Sequence, residues 1–66
     1  MTYLDDQSRP VSVAAGLGGS TWGSFRRQPS GALRRVKSAS LPMRSSREEA
    51  EADLVAYVGA KGWRRA

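Results

Sequence analysis

The residues best suited to do chemistry in this chain surround one tight turn. The stretch "TWGSFRRQPSGALRRVKS", residues 21 to 38, holds Arg26, Arg27, Arg34, Arg35 and Lys37, with no acid among them. A guanidinium is a planar fork of donors that matches a phosphate, and it can also read guanine through two parallel hydrogen bonds. Small residues between the cations, among them Ser24, Ser30, Gly31 and Ala32, let a backbone approach a phosphate closely. These five cations are the expected contacts to nucleic acid. A solvated basic surface is the plain alternative.

No catalytic set can be assembled beside them. The chain has no histidine and no cysteine, which removes the usual general base, the commonest metal ligand and any disulfide. Its six acids are Asp5, Asp6, Glu48, Glu49, Glu51 and Asp53, and residues 7 to 47 contain none. Glu48 and Glu49 stand where a helix start needs negative charge. No enzyme, metal or cofactor is expected.

The net charge of +5 is concentrated in that acid-free span and in Lys61, Arg64 and Arg65. A field of one sign favours an anionic partner. Duplex DNA is favoured over single-stranded RNA, because base stacking calls for more exposed aromatics than Trp22 and Phe25 supply. The alternative partner is an acidic protein surface. No apolar run approaches the roughly 20 residues of a membrane span. The opening "MTYLDDQSRP" has acids where a signal peptide is basic, so a cytoplasmic protein without membrane contact is expected.

Something must hold the cations in place. At 66 residues the chain is one domain at most, with apolar residues for a single thin layer. Residues 1 to 20, with "AAGLGGS", read as a flexible N-terminal segment that includes a short edge strand at 10–15, "PVSVAA". Residues 21 to 66 read as a basic β-hairpin plus a helix. "QPSG" gives the type I turn closed by a glycine bulge. "ALRRVKSASL" returns as the second strand until Pro42 stops it. With Gln28 opposite Ala32, one face holds Phe25, Leu33, Arg27, Arg35 and Lys37, and the other Trp22, Val36, Arg26 and Arg34. A one-residue slip exchanges these partners, and in either register the cations near the turn leave both faces.

The helix is signalled by Ser46 and Glu49 as a capping box and by Gly62 as its left-handed stop, with Trp63 folding back on Val58. Ala50, Leu54, Tyr57 and Val58 make its apolar face, and Gly59 is expected to let a strand pack close. The fold class is therefore α+β: a small antiparallel β-sheet, a hairpin with a third edge strand at most, packed on one C-terminal α-helix.

A Trp-bearing strand, a basic hairpin and then "RSSREEAEADLVAYV" resemble the arm-type, AP2-like DNA-binding domains of phage tyrosine integrases, over residues 20 to 63. The resemblance implies a sheet laid in the major groove, with Arg26, Arg27, Arg34, Arg35 and Lys37 on DNA and the helix as support. A free-standing small phage or bacterial protein fits the same pattern. The alternative class of function is a protein-interaction or assembly module, with a partner or a homodimer covering the remaining apolar surface.

Overall fold

A computed structural model describes residues 2–66 as a five-stranded antiparallel sheet with one helix on it. The strands are β1 (Thr2–Leu4), β2 (Pro10–Ala15), β3 (Trp22–Arg27), β4 (Leu33–Arg35) and β5 (Arg64–Arg65); the helix α1 spans Arg47–Lys61. The sheet order is β4-β3-β2-β1-β5. Three hairpins thus run across the sheet from β1 to β4. The helix crosses back over β2 and β3 and returns the chain to the far edge as β5.

The β3–β4 hairpin has the expected register: Phe25 opposite Arg35, Arg26 opposite Arg34, Arg27 opposite Leu33. Its turn closes with Gly31 N–H donating to Gln28 O at 2.9 Å and Gln28 N–H to Ala32 O at 2.8 Å. Gly31 has φ 92°, the left-handed conformation that this turn needs and glycine adopts freely.

The first hairpin uses the same hydrogen-bond pattern without a glycine. Ser8 N–H donates to Asp5 O at 2.9 Å and Asp5 N–H to Arg9 O at 3.1 Å, with Ser8 at φ 60°. The Asp5 carboxylate offsets the cost of that conformation. It accepts from the backbone amides of Gln7 (2.9 Å) and Arg9 (2.8 Å) and from the guanidinium Nε of Arg9 (3.0 Å) and Arg26 (2.7 Å). Its side chain is fully buried, 0% exposed, yet every lone-pair direction is used.

Several expectations are corrected here. Residues 10–15 do form a strand, but it lies at the centre of the sheet and not at an edge, because β1 pairs along its other side. Pro10 is tolerated there at the strand's first position, opposite Leu4. The segment 1–20, read as flexible, supplies two strands and the core residues Tyr3 and Val11. The returning strand ends at Arg35, well before Pro42. Val36 still donates to Ser24 O, and then a turn at Ser38 sends Leu41 into the core. Gly59 packs against nothing; the close approaches are Gly23 and Gly16, both under the Met43 side chain.

The helix begins as its capping residues demand. Ser46 Oγ accepts from Glu49 N–H at 3.2 Å, while the Glu49 carboxylate accepts from the hydroxyls of Ser46 and Ser45. It ends with Gly62 at φ 72° and Trp63 N–H donating to Val58 O. The Trp63 ring meets Tyr57 edge-on at 5.3 Å, and packs against the core to which Val58 belongs. Ala50 is buried, and Leu54 and Val58 pack in one cluster with Tyr3, Val11, Val36 and Leu41. Arg44 fixes the helix entry: it pairs with Trp22 through two 2.8 Å backbone bonds and grips Asp53 with Nε (2.7 Å) and Nη2 (3.2 Å).

Burial pushes the Asp5 carboxyl up, but the amides of Arg9 and Gln7, the Arg26 guanidinium and the charge of Arg9 together hold it below its ordinary value. The bond from Arg44 lowers Asp53 in the same direction. Carboxyls depressed on folding contribute stability above their unfolded value, about pH 4, and lose it as pH falls through the folded value. Urea unfolding should therefore show a plateau near neutrality and a fall below about pH 4. Asp5→Asn should lower stability at pH 7 by about 3 kcal/mol, and its curve should converge on that of the parent in acid.

Candidate nucleic-acid interface

Side chains alternate along β3 and β4, so the register sorts the five hairpin cations by face. Ser24 and Val36 are buried beneath the helix. Arg26 and Arg34, two residues along in register, point to that same side. Arg27 and Arg35 leave on the opposite face, with Phe25 and Leu33 between them. On this second face the Met43 side chain covers Gly23 beside Phe25, while Leu33, nearer the turn, is 50% exposed.

The structure separates the five by what they touch. Arg26 is committed to Asp5 and its side chain is only 20% exposed. Arg35 reaches the Leu41 carbonyl with Nη2 at 3.5 Å, a long and weak contact. Arg27, Arg34 and Lys37 are exposed and have no carboxylate within 4 Å among the described residues.

The other cations divide the same way. Arg9, Arg44 and Arg47 pair with Asp5, Asp53 and Glu51. Arg47 also lies over the Trp22 ring at 5.8 Å, so that aromatic is covered. Lys61 rests over Tyr57 at 5.5 Å, and Arg64 donates to Ser8 Oγ at 3.0 Å.

Charge is therefore polarised along the molecule. The helix starts beside the first residue of β3, where Arg44 and Arg47 meet Trp22 and the acids Glu48, Glu49, Glu51 and Asp53 cluster. It ends beside β1 and β5, at the sheet end that also carries the β3–β4 turn. Arg27 and Arg34 stand at this second end by one edge of the sheet and Lys61 and Arg64 by the other, where Asp6 lies beside them and Asp5 is already neutralised by two guanidinium groups. Sequence reading had no signal for Arg64 and Arg65 as strand residues, because a two-residue strand carries no periodicity.

Between β4 and α1 lies an open depression of about 500 Å³ lined by Arg26, Arg34, Arg35, Val36, Lys37 and Tyr57. None of these is an acid. Among the described residues no cluster of His, Cys, Asp or Glu could hold a metal ion, and no helix is long and apolar enough to cross a membrane.

Substitution should expose the division among the hairpin cations. Arg26→Ala strips a buried carboxylate of one partner and should cost about 2–3 kcal/mol in urea unfolding. Arg27→Ala and Arg34→Ala should stay within about 0.5 kcal/mol of the parent. No family model matches the chain, and no curated protein or solved structure matches it either, so the interface is read from its own geometry.

Proposed function

We propose that this protein binds double-stranded nucleic acid, DNA in the first place, without catalysing a reaction on it. One observation carries the reading: the cations left without carboxylate partners collect on the β3–β4 hairpin and the adjoining sheet end, away from the helix start that holds most of the acids. Internal pairing has consumed the cations at the other end, Arg44 on Asp53 and Arg47 on Glu51, so the remaining field has a direction. The hairpin is a two-stranded edge of the sheet, a shape that a major groove admits. Its arginines supply phosphate contacts on either side of that edge. A small sheet braced by one helix is also what the resemblance to arm-type domains implies, although here the sheet has five strands.

The sheet face away from the helix, covered at one end by Met43 and open towards the turn, favours a second reading. Phe25 and Leu33 lie there between Arg27 and Arg35, a surface suited to an acidic protein with an apolar centre. Nuclease treatment before a pull-down separates the two, since a protein partner survives it.

Binding through four free hairpin cations should make affinity for a short duplex fall steeply with salt. The slope of log K on log salt should lie between about −3 and −4. The double charge reversal Arg34→Glu/Arg35→Glu should remove measurable binding while leaving the circular dichroism spectrum unchanged. Fluorescence anisotropy over a salt series is the measurement. A slope near zero, or a reversed variant that binds like the parent, refutes the reading.

A further inference from the structure

The depression beside β4 holds polar groups in a state unlike the rest of the basic surface. Arg26 is fixed from behind: its Nε is spent on Asp5 at 2.7 Å, and the two remaining guanidinium nitrogens make no hydrogen bond to described residues. Its orientation is set before any ligand arrives, so less side-chain entropy is lost on binding than at a free surface arginine. Opposite it stands Tyr57, half-buried on α1. Its ring is held between the Trp63 edge at 5.3 Å and the Lys61 ammonium at 5.5 Å. Its hydroxyl makes no hydrogen bond to described residues. Arg34 and Lys37, both exposed, flank the opening, and the floor is Val36.

The charge balance favours an anion. Asp5, the nearest carboxylate, is shared by two guanidinium groups, so that cluster itself carries net positive charge. Arg34, Arg35 and Lys37 add to it, and no acid lines the space. A volume of about 500 Å³ is large for one phosphate and is of the size that holds a nucleotide-like group.

We infer that this depression is a phosphate-binding subsite, in which Arg26, Arg34 and Lys37 neutralise the phosphate and the Tyr57 hydroxyl donates to it. The inference deepens the nucleic-acid reading and rests on it for its source of phosphate, the sugar–phosphate backbone. It assigns one backbone phosphate to the helix side of the hairpin. Arg27, on the other sheet face, is left for a neighbouring phosphate.

The test is a ¹⁵N NMR titration of the full chain with inorganic pyrophosphate, at ionic strength held constant with sodium chloride, followed by the same titration with a short DNA duplex. Saturable shifts are expected at the Arg26 Nε–H and at the amides of Val36 and Tyr57. Arg34→Gln/Lys37→Gln should weaken pyrophosphate at least tenfold and Tyr57→Phe three- to tenfold, roughly one hydrogen bond to a charged group. Arg65→Gln, at the opposite edge of the sheet, should leave it unchanged. All these positions are exposed or half-exposed, and the spectrum itself reports whether each variant is folded. Shifts that do not saturate, or that spread evenly to Arg27, Arg64 and Arg65, overturn the subsite. If the duplex binds but pyrophosphate does not, the subsite is discarded and the nucleic-acid reading stands. If pyrophosphate binds and the duplex does not, the subsite stands with a free phosphate compound as its ligand, and the nucleic-acid reading falls.

Discussion

One buried carboxylate organises this molecule. Asp5 accepts four hydrogen bonds, two from its own turn and two from guanidinium groups, and one of those comes from a strand 21 residues away. Burying a charge is tolerable only with that degree of satisfaction. The bonds do two jobs at once. They hold Ser8 in a left-handed turn, so that β1 can fold onto β2, and they tie that turn to β3 across the sheet. Since β1 also carries β5, the far edge of the sheet depends on the same group. A domain with so thin a core has little else to bring its first fifteen residues into register.

The second ion pair does for the helix what Asp5 does for the sheet. Arg44 bonds its backbone to Trp22 and its side chain to Asp53, so the helix is set on β3 at a defined position. Ala50, Leu54 and Val58 then close the core. The direction of the helix follows from this anchor, and so does the polarity of the surface. Its acidic start lies by the beginning of β3, and its basic end lies by β1 and β5. The asymmetry of charge along the molecule is thus a product of topology as well as composition.

What could be read in the sequence was what local chemistry specifies. Pro29 and Gly31 define the hairpin turn and hence the register, which places each cation on its face. Ser46, Glu49 and Gly62 define both ends of the helix. What could not be read depends on partners distant in the chain. "TYL" is too short to show alternation, and β5 shorter still. The first turn lacks glycine because an aspartate stabilises it instead, and aspartate at the first position of "DDQS" was the one available sign. The centrality of β2 follows only once β1 is known to exist. Of the candidate site, the five cations were visible as a group. The capture of Arg26 by Asp5, and the approach of Tyr57 to the hairpin from the helix, were not.

The capture of Arg26 bears on how a small domain reconciles stability with a charged surface. Cations crowded on one hairpin repel one another and gain nothing from the fold. This chain resolves the conflict by dividing their labour. Arg26 spends its Nε on Asp5 and so serves the fold, keeping only its outer nitrogens for a ligand, while Arg34 and Lys37 beside it remain unpaired. The unpaired charges sit on a short edge strand and just past its end, where side chains reach solvent and the repulsion is screened by salt. Such an edge would ordinarily invite pairing with another chain, and arginines along it discourage that. The same residues therefore guard the edge against aggregation and hold it open to a polyanion, whose counterions are displaced when it binds. Neutralising them would remove the anion's reason to bind and the edge's protection together.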